Sequence, residues 1–139
     1  MSRQDIKVTF GEGFEVKAEC RRGWTITTDQ PVQAGGQDSA PTPFELFLSS
    51  LATCAGFYVL AFLRQRQISP EGVYLTMLPE KAPGSKMVEN IKMDIHLPES
   101  FPDKYREAVV KAADQCTVKA HLHHPPQIEI RTVKDQSAS

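Results

Sequence analysis

From Phe47 to Leu63 the chain runs without a single charged residue. Thr42-Pro43-Phe44-Glu45 precedes this run. Thr42 can cap a helix, proline fits the first helical position, and Glu45 stands where a capping box needs a carboxylate. Ile68-Ser69-Pro70 closes it, because the residue before a proline avoids the helical region. The pattern predicts a helix from Pro43 to about Gln67, roughly 37 Å long at 1.5 Å per residue. The run falls just short of a bilayer-spanning helix, contains Ser49, Ser50 and Thr53, and lies mid-chain between strand patterns. It therefore reads as a soluble core helix that is apolar all round because it is buried all round. A chain of 139 residues makes one domain, and one small sheet cannot cover such a helix on every side. A homodimer with the two long helices at its centre is the expectation, with Leu51 among the buried contacts between subunits.

Before the helix, apolar residues alternate with polar ones, the period of a half-buried strand. Ile6, Val8 and Phe10 form one such set, Phe14 to Cys20 a second, and Trp24, Ile26 and Thr28 a third. Short Gly-containing turns join them into an antiparallel meander. The segment from Asp29 to Ala40, with Pro31 and Gly35-Gly36, is the longest irregular stretch ahead of the helix. After it, Val73 to Leu78 and Ile91 to Leu97 read as strands. Pro102 opens a second helix carrying Tyr105, Ala108, Val109, Ala112 and Cys116 at helical spacing. Thr117 to His124 has room for another turn, and Ile128, Ile130 and Thr132 read as a last strand. The order predicts an α+β domain with mixed or antiparallel sheets. No GxGxxG or phosphate-binding loop follows a strand.

The net charge of −1 and pI near 6.4 argue against a dedicated nucleic-acid binder, which usually shows a basic stripe or patch. The N-terminus alternates and does not read as a secretory signal. Three widely spaced cysteines are no secreted disulfide framework, so a reducing cytoplasm is the expected compartment, where a functional disulfide is transient.

Cys54 lies on the long helix among Ala52, Ala55 and Gly56. Cys116 lies on the apolar stripe of the second helix or just past its end. Either alone reads as a small core hydrophobe. Two buried-face cysteines on two helices can also face each other as attacking and resolving thiols, provided their Cα atoms come within disulfide range. Cys20 ends the apolar face of a strand and reads as structural. His121, His123 and His124 match no common zinc spacing and read as a solvated turn. His96, Arg64, Arg66 and Lys119 read as solvated polar groups. No metal, cofactor or nucleic-acid partner is called for.

Pro43-Phe44-Glu45-Leu46, eight residues before Cys54, together with Cys116-Thr117-Val118 ahead of Pro125-Pro126-Gln127-Ile128-Glu129-Ile130, resembles the OsmC/Ohr family of osmotically induced and organic hydroperoxide resistance proteins. The likeness extends over nearly the whole chain, as a single domain of residues 1–139. It implies an intertwined cytoplasmic homodimer around a long buried central helix. It also implies thiol-dependent reduction of organic hydroperoxides, with a thiol reductant closing the cycle. Cys54 matches the attacking position and Cys116 the resolving one. In the peroxidase branches a glutamate ten residues before the first cysteine helps hold a catalytic arginine. Here Phe44 stands at that place and Glu45 follows it, about 100° round the helix. Arg21 and Arg22 lie in the region that supplies the arginine, and Arg22 is the candidate. The Pro-x-Glu-Leu start is closer to the family's less characterised third branch. The competing reading is a small-ligand binding module on the same dimeric scaffold, with Phe44, Phe47, Phe57 and Tyr58 lining an apolar pocket.

Overall fold

A computed structural model describes residues 5–135. Strands β1 (Lys7–Phe10), β2 (Val16–Glu19) and β3 (Thr25–Thr28) form an antiparallel sheet in that order. Its register places Lys7 opposite Glu19 and Ala18 opposite Ile26. Helix α1 spans Pro43–Gln65. Strands β4 (Tyr74–Lys81) and β5 (Val88–His96) make a two-stranded sheet. Helices α2 (Arg106–Ala113) and α3 (Thr117–His123) follow. The α+β expectation therefore stands.

The chain divides into two compact units: residues 1–53 with 75–94, and residues 54–74 with 95–139. In the first, the capping box at the start of α1 forms as the sequence predicts. The Thr42 N–H donates to Glu45 Oε1 at 3.0 Å, and the Glu45 N–H donates to Thr42 Oγ1 at 3.1 Å. The irregular segment before it is tied by Asp29, only 2% exposed. The Asp29 carboxylate accepts from the N–H groups of Gln30, Gln37 and Ser39 and from the Ser39 hydroxyl at 2.6 Å. Those donors, led by Ser39 Oγ and the Gln30 amide, outweigh burial and hold the carboxyl at about 2. Gly36 is required there, since a Cβ at that position would come within 2.0 Å of the Gln30 carbonyl oxygen.

In the second unit, α1 ends in a Schellman turn. The Gln67 N–H donates to Arg64 O and the Ile68 N–H to Leu63 O, with Gln67 itself at φ 56°. The buried set here is Ala55, Val59, Phe62 and Leu63 of α1 with Phe101, Val109 and Cys116. Phe62 meets Tyr105 edge-on at 5.9 Å. The Arg66 guanidinium lies 3.8 Å from the Phe62 ring centroid, so Arg66 is a stacked cation rather than the plainly solvated charge its position suggests. His96 is likewise half-buried and stacked on Tyr74 at 4.4 Å, not simply exposed on a polar strand face.

Several expectations need correction. The expected last strand, Ile128 to Thr132, is not a strand: Ile128 and Ile130 are 82% and 92% exposed, and no strand among the described residues pairs with them. Within the single chain the long helix is buried along one stripe, through Leu51, Ala55, Val59, Phe62 and Leu63, while Phe57 is 58% exposed. Leu51 belongs to that stripe within one chain, so it is not on a face open to a second subunit. The second helix starts later than Pro102 and ends at Ala113, so Cys116 lies just past its end, one of the two places its pattern allows. A 3-10 turn at Asp103–Tyr105 precedes α2, and Cys116, at ψ 122°, leaves the helical region before α3 begins. Strand β4 runs on through Pro79 to Lys81, past the expected end at Leu78; proline is tolerated in strands with an open edge.

Candidate active site

The break between α2 and α3 builds the site. Released from helical geometry, Cys116 becomes the N-cap of α3, and its sulfur accepts the Lys119 N–H at 3.3 Å. Serine, threonine and aspartate usually take that role, so the pattern does not announce a cap in the sequence. As a consequence Cys116 is 2% exposed while the first amides of α3 point outward from the helix start. Cys54, half-buried on α1, meets that start.

Two thiols are thereby brought together within the second unit, as their pattern on two helices predicts. Burial is the largest single influence on Cys54 and opposes its ionisation. The Val118 N–H, the Cys116 thiol and the Thr117 N–H together outweigh burial and hold the Cys54 thiol below its ordinary value. Cys116 goes the other way. Burial pushes its thiol up, and the hydrogen bond and the charge of Cys54 push it further, against the Lys119 and Val118 amides. Of the two thiols the arrangement favours the charged form at Cys54, with Cys116 as its hydrogen-bond partner. All three cysteines are free thiols here.

Among the described residues, the groups that favour the Cys54 thiolate are backbone dipoles and a thiol, with no cation among them. The sequence pointed to an arginine for this task, because the start of α1 is too distant to help. The further turn expected over Thr117 to His124 is present as α3, but that its first amides meet the sequence-remote Cys54 is visible only in the structure. Tyr58 is a residue whose part was missed. It lies one turn beyond Cys54 on α1, and its hydroxyl is 3.1 Å from Thr117 Oγ1. That contact ties α1 to the residue whose amide faces Cys54.

Arg22 sits in the turn between β2 and β3, exposed, at φ 61°. Glu45 is engaged in the capping box. Phe44 stacks on Phe47 with centroids 5.5 Å apart. These residues belong to the first unit. Cys20, also there, is half-buried at the end of β2. His121 Nδ1 lies 2.8 Å from Thr117 O.

A family model for OsmC-like proteins matches residues 36–131, which include both Cys54 and Cys116. No curated protein sequence matches the chain. Among solved structures, a Psychrobacter arcticus protein described as an osmotic stress induced and detoxification response protein superposes with a TM-score of 0.72. It is 24% identical over 86% of this chain and 87% of its own. An OsmC-like protein from Mycoplasma pneumoniae gives 0.63 at 18% identity, over 89% of each chain. An organic hydroperoxide resistance protein, OsmC, from Legionella pneumophila gives 0.56 at 18% identity, over 88% of this chain and 90% of its own. Such identities speak for the fold, and the family model for descent: this chain belongs to the OsmC-like family.

Proposed function

We propose that the protein is a thiol-dependent reductase of organic hydroperoxides, working in the cytoplasm as a homodimer with Cys54 as the attacking and Cys116 as the resolving thiol. The observation that carries this reading is geometric: Cys54 of α1 meets the Cys116 thiol and the Thr117 and Val118 amides at the start of α3, all of which favour its charged form. The Cys54 thiolate attacks the outer peroxide oxygen. The O–O bond breaks, the alkoxide takes a proton and leaves as alcohol, and Cys54 becomes a sulfenic acid. Cys116 then attacks the Cys54 sulfur, and hydroxide leaves as water with the Cys116 proton. The sum is one hydroperoxide and two thiols giving one alcohol, one water and one disulfide. A raised Cys116 thiol suits the second role, since it stays protonated until the neighbouring sulfur is no longer an anion.

Arg22 is the candidate cation for binding the peroxide in the homodimer, and Glu45 the nearest stand-in for the glutamate expected at Phe44. With Phe44 at that position, turnover is slower than in the peroxidase branches, in keeping with the less characterised branch that shares the Pro-x-Glu-Leu start. The test is one equivalent of cumene hydroperoxide followed by peptide mapping. A Cys54–Cys116 disulfide is expected, with Cys20 still free. Both thiols remaining reduced under excess oxidant contradicts the proposal and leaves a small-ligand binding module in its place.

A further inference from the structure

Helix α3 is seven residues long and contributes no buried side chain of its own. A helix that short is marginal by itself, so contacts outside it must fix where its first turn lies. That placement matters, because the Thr117 and Val118 amides of the first turn meet Cys54. Polar contacts hold the turn. The Tyr58 hydroxyl lies 3.1 Å from Thr117 Oγ1, and the Cys116 sulfur accepts the Lys119 N–H at 3.3 Å. The Lys119 ammonium, which the sequence reads as plainly solvated, is paired with the Asp114 carboxylate. Lys119 is thus engaged at both ends: its backbone on Cys116, and its side chain back across the break to the C-cap of α2. The α2 end is the fixed one. The Asp114 N–H donates to Val110 O at 3.1 Å, and Val109 beside it is fully buried.

By helix rules Asp114 is out of place, since a carboxylate at a helix C-terminus meets the negative end of the dipole. The Lys119 hydrogen bond and charge offset this and hold the Asp114 carboxyl below its ordinary value, against burial and with His123 of α3 adding to them. A local rule broken at a helix end points to a task beyond that helix. We propose that Asp114 is a positioning residue for Cys54: the Asp114–Lys119 ion pair straps α3 to the end of α2 and keeps the Thr117 and Val118 amides on the Cys54 sulfur. The catalytic meaning of the strap rests on the reductase reading above. Asp114 acts through Lys119 and takes no part in bond-making.

Asp114→Asn keeps the shape and removes the charge, and the sign of its effect is diagnostic. Removing a carboxylate and freeing a lysine near a thiol lowers that thiol's pKa by direct electrostatics. It also relieves the C-terminus of α2, so a merely structural role predicts no loss. The strap predicts the reverse, a Cys54 thiol displaced upward. In the whole reduced protein, the iodoacetamide profile of Cys54, read by peptide mapping, is expected to move to higher pH. Alkylation at neutral pH is expected to slow about two- to five-fold, the scale an exposed ion pair can transmit. Asp114→Glu, which keeps the carboxylate on a longer arm, is expected to recover the wild-type profile. An Asp114→Asn profile that overlays wild type or moves to lower pH overturns the proposal, as does Asp114→Glu displaced as far as Asp114→Asn. None of these readouts uses peroxide. Wild type that forms no Cys54–Cys116 disulfide with cumene hydroperoxide therefore contradicts the reductase reading while the alkylation profiles still decide the strap.

Discussion

Cys116 and Asp29 show how single residues set local geometry. Cys116 is a helix cap, a buried thiol and a hydrogen-bond partner of Cys54 at once. Asp29 has a purely structural task, gathering three backbone amides and a hydroxyl from residues 30–39. Its carboxyl is held at about 2, below the ordinary 3.8. A carboxyl lowered on folding contributes stability that is complete above the unfolded value and fades as pH falls toward the folded one. Asp29→Asn cannot reproduce this, because its amide turns a donor toward donors. Thermal denaturation should therefore find the variant less stable than wild type at neutral pH, with the gap closing between about 3.8 and about 2. A gap independent of pH would contradict the assignment. Nothing in the sequence marks Asp29 as buried, since an aspartate after a strand usually faces solvent.

At the scale of elements, what was legible depended on whether the signal was local. The bounds of α1 follow from Thr42, Pro43 and Glu45 at one end and the approach to Pro70 at the other, and the structure agrees to within two residues. Cys54 and Cys116 could be paired from their apolar faces. The junction between α2 and α3 was readable only in part: room for a further turn after Thr117 was visible, but the stripe of Tyr105, Val109, Ala112 and Cys116 continues the helical period across a real break. Leaving the helix at Cys116 creates the amide donors that face Cys54, and it is their facing Cys54 that no local pattern shows. Tyr58 and Thr117 hold these two elements together by one hydrogen bond, worth about 0.5–1.5 kcal/mol. Tyr58→Phe removes it without removing the ring. The expected result is a folded protein whose Cys54 thiol is displaced upward, seen as a shift of its iodoacetamide alkylation profile to higher pH. A profile that overlays wild type would mean that Tyr58 does not position the α3 amides.

On the scale of the whole molecule, the surface is the informative part. Helix α1 is long and apolar enough to cross a bilayer, and 28% of its most apolar window is buried. Phe57 and Leu60 of α1, Phe10 of β1, and Ile128 and Ile130 near the C-terminus are all exposed. The alternation that suggested a last strand is therefore real as a pattern and unfulfilled in one chain. A second copy of this chain is the proposed cover. Full burial of a residue such as Phe or Leu is worth about 1.5–3 kcal/mol, so several of them account for a stable pair. Phe57→Asp puts a charge on the exposed face of α1 while sparing the stripe packed within the chain. Light scattering at micromolar concentration should give a dimer mass for wild type and a monomer mass for Phe57→Asp. A monomeric wild type would remove the homodimer from the account, and an unaffected variant would place the interface elsewhere.

The division of labour between the two thiols is the claim on which the chemistry depends, and it can be read without any peroxide. Treat the fully reduced protein with a substoichiometric amount of iodoacetamide across a range of pH and quantify each cysteine by mass spectrometry. Cys54 should react first at neutral pH, on a profile displaced below that of an ordinary thiol, with Cys116 reacting only at higher pH. Cys116 reacting first, or both thiols following one profile, would contradict the account.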